Sequence, residues 1–285
     1  VGVLGPWTCD PLLARALPEV ASRLAVTRLN RDPALTAGYW WDAVVLSESC
    51  STPQAVAGLV SADRYASAIV GPLNPAACGA AGLLAAAWNK PLVAWTCGTA
   101  GAVTLVNPLP APAGVLHAVL RYFRWAHVAV VASPQDLWVD TGQELAKELR
   151  ARGLPVSVVS VAGEEEEEAE EALRRVKRAD GVRVVVMCMH SVLLGGREQK
   201  VLLEKAEDLG MTDGTFVFIP YDALTFSLPY RRVPYPVLAN NTKLRLAYDA
   251  VLTITIDSPD ASFREALEDA KKSYEVPADV DPAEV

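Results

Sequence analysis

Short apolar runs alternate with amphipathic stretches along this chain, and the alternation restarts after a Gly/Pro-rich break. That rhythm limits the possible folds more than any other feature. Residues 1–5, 41–46, 68–70 and 92–96 read as strands. Between them, 12–30, 53–61 and 76–88 read as helices, the first with Leu13, Ala16, Leu17, Val20, Leu24 and Leu29 at helical spacing. Strand followed by helix, repeated in this way, predicts a parallel sheet covered on both faces. Gly98, Gly101, Asn107, Pro108, Pro110, Pro112 and Gly114 then interrupt the pattern, because they continue neither a helix nor a central strand. The rhythm resumes with helices over 115–123, 139–152, 164–178, 198–209 and 262–274. The strands of this second half are expected at 128–132, 156–161, 182–189, 216–219 and 250–256. The expectation is an α/β chain of two consecutive doubly wound units, lobe 1 over 1–109 and lobe 2 over 110–285.

Open α/β sheets bind ligands outside the carboxyl ends of their strands. Those ends offer Trp7 and Trp95 in the first lobe, and Ser133, Gln135, Asp136, Tyr221 and Asp222 in the second, as candidate cleft residues. Loops are polar by default, and a tryptophan taken singly reads first as core packing.

Composition removes several function classes. The 285 residues carry a formal net charge of -8, opposite to what a nucleic-acid partner requires. The same balance gives no polybasic patch for an anionic membrane surface. No apolar run is long enough to span a bilayer; residues 79–88 come nearest and read as a soluble helix. The first residues already read as a strand, so a secreted parent would imply a mature or trimmed piece. The phosphate-binding loop GxxxxGK[ST], GxGxxG, HExxH, GxSxG and the kinase motifs are all missing from the sequence. No catalytic residue, cofactor or metal site is expected.

Cys9, Cys50, Cys78 and Cys97 sit in turn-rich sequence, whereas Cys188 lies within an apolar strand. Four loop cysteines and one core cysteine suggest two bridges, one buried thiol and an oxidising compartment. Cys188 and His190 share a strand face, but a packed thiol beside a strand-end histidine is the simpler reading than a nucleophile pair. Glu164 to Glu168, Glu170 and Glu171 precede Arg174, Arg175, Lys177 and Arg178, an order that matches a solvated helix and its dipole. Asn240-Asn241-Thr242 is a glycosylation triplet at Asn240.

Longer runs carry a family resemblance. Val3-Leu4-Gly5-Pro6-Trp7-Thr8-Cys9-Asp10-Pro11, Val70-Gly71-Pro72-Leu73-Asn74-Pro75-Ala76-Ala77-Cys78 and Pro134-Gln135-Asp136-Leu137-Trp138-Val139 resemble the outer domain of sensory membrane guanylate cyclases. So do Met187-Cys188-Met189-His190-Ser191 and the stretch from Met211 to Tyr230. The resemblance spans nearly the whole chain, leans to the retinal type, and has the olfactory type as its sister. It implies a two-lobed fold of the periplasmic-binding-protein type I class, C-terminally truncated, on the extracellular or lumenal side of a single-pass receptor in a photoreceptor outer-segment disc or sensory cilium. The parent would form a homodimer and make cGMP from GTP in a cytoplasmic domain outside this chain. It would meet the membrane only through a segment that also lies outside.

An olfactory member would instead bind a guanylin-class peptide, and a bacterial periplasmic protein a small solute. The related natriuretic-peptide receptors imply a bridge between Cys50 and Cys78, which leaves Cys9 and Cys97 as the second expected pair. The chloride site of that branch is not carried over, because the segment before Cys50 is shorter. The glutamate run at 164–171 departs from the family pattern.

Overall fold

The computed structural model describes residues 1–10, 13, 17–94, 96–97, 104–225, 235–256, 263–273 and 275–276. The chain divides into two units, Val1–Pro108 with Pro259–Val285, and Leu109–Ser258.

The sheet of the first unit contains β1 (Gly2–Gly5), β2 (Val44–Ser47), β3 (Ile69–Val70), β4 (Leu92–Val93) and β5 (Leu105–Val106). All neighbours are parallel, in the order β2-β1-β3-β4-β5. Its helices are α1 (Pro18–Arg31), α2 (Pro33–Thr36), α3 (Thr52–Asp63) and α4 (Cys78–Trp88). Proline lies in the first turn of α1, α2 and α3, where the missing N–H costs nothing. The Asp32 carboxylate caps α2 by accepting from the Ala34 N–H at 2.9 Å. Leu4, Leu59, Ala62, Ile69, Ala81, Ala85 and Leu92 form the core between sheet and helices.

One departure concerns the Gly/Pro break. Leu105 and Val106 pair with Leu92 and Val93 as a fifth strand. An edge strand needs a partner on one side only, so two apolar residues between turn-formers suffice.

The second unit contains β6 (Val128–Ala132), β7 (Val156–Val161), β8 (Val184–Cys188) and β9 (Val217–Pro220), all parallel, in the order β7-β6-β8-β9. Its helices are α5 (Pro112–Tyr122), α6 (Asp136–Ala151), α7 (Glu166–Arg178), α8 (Arg197–Asp208), α9 (Pro236–Ala239) and α10 (Thr242–Tyr248). Every residue of β6 and β8 is buried, as expected of central strands covered on both faces. Side-chain alternation assigns the faces. Ala129, Val131, Val185, Met187 and Phe218 pack with Leu173 and Val176 of α7, Leu202 and Leu203 of α8 and Leu244 of α10. The opposite face meets α6 closely: a Cβ on Gly142 would lie 3.2 Å from Val130 and 3.4 Å from Ala132.

The strand expected over 250–256 reduces to a single bridge between Val251 and Phe218. The Ala250 carbonyl accepts from Phe218 N–H and the Phe218 carbonyl from Leu252 N–H, at 2.9 and 2.8 Å. The partly exposed residues that follow pair no further among the described residues.

The last helix also departs from expectation. α11 (Phe263–Lys272) groups with the first unit rather than with the second. Leu267, Ala270 and Val276 pack against Val20 and Leu24 of α1. Glu275 accepts from Arg28 at 3.1 Å and Arg31 at 2.6 Å. The amphipathic pattern of α11 specified a buried face without saying which sheet would receive it.

Candidate functional site

Strand order decides the disulfides. The bridges are Cys9–Cys50, with Cα atoms 5.8 Å apart, and Cys78–Cys97, at 5.5 Å. The expected pairs, Cys50–Cys78 and Cys9–Cys97, are therefore corrected. Cys9 and Cys50 follow β1 and β2, which are neighbours in register at Gly5 and Ser47. Cys78 and Cys97 follow β3 and β4, which are also neighbours. In the sheet order β1 separates β2 from β3, and β3 separates β1 from β4. The expected pairs would each have had to reach across an intervening strand. Each observed bridge contributes roughly 3–4 kcal/mol by chain entropy. Cys188 is a buried free thiol, and burial pushes its pKa up, which leaves it inert as a nucleophile.

At the carboxyl end of the first sheet, Glu48 follows β2 and is fully buried. Its carboxylate accepts from the backbone N–H groups of Leu73, at 3.2 and 3.1 Å, and Asn74, at 3.1 Å. Burial outweighs these bonds and lifts its pKa to about 8. The loop supplying the donors starts at Gly71, whose φ is +112° and whose Cβ would lie 2.3 Å from the Leu4 carbonyl oxygen. Only glycine fits there. Sequence reasoning placed Glu48 at the carboxyl end of the second strand but gave it no role of its own, because an isolated glutamate there looks like any loop residue. Trp7 follows β1 and buries its indole N–H without a partner. Trp95 lies outside the described residues.

In the second unit, the carboxyl ends of β6, β8 and β9 bring most of the candidates together. Ser133 follows β6 and its N–H donates to the Cys188 carbonyl at 3.0 Å. Tyr221 and Asp222 follow β9, and the Tyr221 N–H donates to the Met187 carbonyl at 2.9 Å. The Asp222 carboxylate accepts from Ser191 N–H at 2.6 Å and Ala223 N–H at 2.8 Å. Burial pushes Asp222 up to about 6, against the pull of these donors and of His190. Burial also pushes the Tyr221 phenol up. The Trp138 and His190 rings are buried and meet edge to face, 5.0 Å between centroids. Gln199 is buried in the first turn of α8, its side-chain carbonyl accepting from Val192 N–H at 2.9 Å. Asp136 is exposed in the first turn of α6 and stands apart from this buried group.

Three side-chain atoms at the entry to α6 are buried without a hydrogen-bond partner: Ser133 Oγ, Gln135 Oε1 and Trp138 Nε1. Each such atom costs about 1–3 kcal/mol when left unsatisfied. Donors and an acceptor gathered this way suit a polar ligand group or ordered water. No group of three or more metal-ligating side chains is found among the described residues. A separate groove of about 660 Å³ runs between α1 and the outer edge of β2, lined by Arg23, Thr27, Asn30, Trp40, Trp41 and Asp42 among others. Asn240 is exposed after α9, while Asn241 caps α10 by accepting from Leu244 N–H at 3.0 Å.

Comparison with known proteins agrees with this architecture. A family model described as the receptor family ligand binding region matches residues 17–285. The chain is 46% identical over 291 residues to retinal guanylyl cyclase 2 of Bos taurus, covering 100% of this chain and 26% of that protein. It is 48% identical over 288 residues to retinal guanylyl cyclase 1 of Rattus norvegicus, with the same two shares. With guanylate cyclase 2D of Rattus norvegicus it shares 48% over 263 residues, covering 92% of this chain and 24% of that protein. The chain thus spans about a quarter of the length of the curated relatives it matches. Two parallel sheets flanked by helices are the periplasmic-binding-protein-like architecture of the matched family. The chain belongs to the receptor family ligand binding region family and is similar along its whole length to one portion of the retinal guanylyl cyclases.

Proposed function

We propose that this chain is the extracellular or lumenal domain of a retinal-type receptor guanylyl cyclase, non-catalytic in itself. The observation that carries this reading is similarity over 100% of the chain to retinal guanylyl cyclases of which it matches only 26%. Conversion of GTP to cGMP belongs to the remainder of such a protein. The match to guanylate cyclase 2D covers less of the chain, 92%, which favours the retinal type. Two bridges close to the ligand-facing strand ends support an oxidising compartment.

In the parent receptor, assumed to be a homodimer in a photoreceptor membrane, this domain sets dimer geometry. A ligand alters cyclase output only by preferring one arrangement over another. The polar cluster of Ser133, Gln135, Trp138, Tyr221 and Asp222 is where such a ligand is expected to bind. The exposed Asn240 is expected to carry a glycan.

The test is peptide mapping of non-reduced protein from a secreting eukaryotic host, together with cGMP assays on the complete receptor with and without residues 1–285. Bridged cysteines, a glycan on Asn240 and cyclase activity that survives removal of the domain support the proposal. Free thiols at all four positions, or GTP turnover by the isolated chain, overturn it.

A further inference from the structure

All four strands of the second unit are parallel, so they begin along one edge. Register fixes the row: Val128 stands beside Val156 and Val184, and Val184 beside Val217. The turns entering these strands therefore lie side by side although they are distant in sequence. A Cβ on Gly181, before β8, would lie 3.1 Å from the ring of His127, before β6. The acidic balance of the chain predicts no basic patch. One forms here only because parallel strands gather isolated arginines where they start.

At the end of α5, Tyr122 is 81% and Phe123 47% exposed. Their rings meet edge to face at 5.0 Å, and Phe123 stacks on Trp125 at 4.6 Å. Exposed Arg121 and Arg124 flank these rings, and Arg152, Arg178 and Arg183 are exposed in the neighbouring turns and helix ends. Arg183 lies over the Phe216 ring at 5.5 Å. Arg121, Arg124 and Arg178 make no ion pair among the described residues. The acids nearby are Glu148, 3.9 Å from Arg152, Asp180, and Asp213, which Thr215 holds at 2.7 Å. No Asp or Glu occurs anywhere between Arg64 and Gln135.

Basic residues in the last turn of a helix complement its dipole, and Arg121 and Arg178 stand in such turns. Arg124 does not. It follows Phe123, the C-cap of α5, with a φ of 59°, in a left-handed position where glycine is the usual residue. An arginine held there carries backbone strain. Strain kept at a surface position points to a task for the side chain.

We propose that this aromatic and basic edge is a docking surface for an acidic segment of a partner protein. Exposed apolar patches rimmed by charge mark protein contacts. Tyr, Trp and Arg, the residues gathered here, carry most of the energy in protein interfaces. Charge complementarity sets the sign of the partner, since the arginines without partners are free to pair with its carboxylates in two-pronged bonds. The rings supply apolar area that a purely ionic polymer would leave uncovered. Anionic lipid is concentrated in the cytoplasmic leaflet, across the membrane from the side proposed above for this chain. The choice of protein over lipid rests on that placement. Disulfide and glycan mapping tests the placement separately, so either reading can fail alone.

The test is an anisotropy titration of the chain into two labelled peptides, one rich in glutamate and leucine, the other with lysine in place of each glutamate. The expected result is binding of the glutamate peptide alone, weakened about 5-fold or more at high salt. Arg121→Glu/Arg124→Glu is expected to weaken it about 10-fold or more, and Tyr122→Ser/Phe123→Ser to weaken it as well. Arg124→Gly is the discriminating variant. It should reduce binding without lowering the melting temperature, because glycine suits the left-handed position. No binding of the glutamate peptide at low salt overturns the proposal. So does equal binding of the lysine peptide, and so does undiminished binding by Arg124→Gly and the charge-reversed protein. Binding of heparin or phosphatidylserine vesicles in place of the glutamate peptide also overturns it, and assigns the edge to a polysaccharide or a lipid surface.

Discussion

The Asp222 carboxylate accepts the Ser191 backbone N–H at 2.6 Å and thereby ties the end of β9 to the end of β8. The same group is buried and titrates near 6 instead of its ordinary 3.8. Because the folded value lies above the unfolded one, the protonated acid favours the fold. That stabilisation is full below about pH 4 and is lost as pH rises through about 6. Asp222→Asn removes the titration and keeps an oxygen acceptor for Ser191. Melting across pH 4–7 should show the parent losing roughly 3 kcal/mol relative to the variant. Parallel curves would show that Asp222 does not titrate in this window.

Glu48 poses a related question at the end of β2. Removing its acceptors leaves two buried N–H groups, those of Leu73 and Asn74, unsatisfied. Glu48→Ala should cost about 2–3 kcal/mol in denaturant unfolding, whereas Glu48→Gln should retain most of that stability. The parent's advantage over Glu48→Gln should shrink as pH climbs from about 4.5 through about 8, since the folded value is raised.

The disulfide assignment is open to direct measurement. Proteolytic mapping without reduction should recover peptides joining Cys9 to Cys50 and Cys78 to Cys97. A Cys50–Cys78 peptide would refute it. Replacing both Cys78 and Cys97 by serine should cost roughly 3 kcal/mol.

Gly71→Ala should be among the most damaging single-methyl changes in the first unit. The added Cβ meets the Leu4 carbonyl at 2.3 Å under a φ of +112°, so strain and overpacking together should cost roughly 2–5 kcal/mol. Thermal melting of the purified variant measures it.

Leu267→Ala tests where the last helix belongs. Leu267 is 3% exposed against α1, so truncation should cost about 2–4 kcal/mol. Hydrogen exchange should then quicken in α1 and α11 and stay unchanged in β6 and β8. Quickening in the second unit instead would assign the helix there.

The sequence by itself determined the alternating architecture. Runs such as Val128–Ala132 and Val184–Cys188 are apolar at every position, and only a central parallel strand buries both faces of such a run. It also marked the strand ends that carry Ser133, Gln135, Tyr221 and Asp222. Other features depended on which strands become neighbours, and local composition carries no record of that. Sheet order turned the cysteine pairing to Cys9–Cys50 and Cys78–Cys97. It also made a strand of Leu105–Val106, buried Glu48 under the Leu73–Asn74 loop, and received α11 on α1.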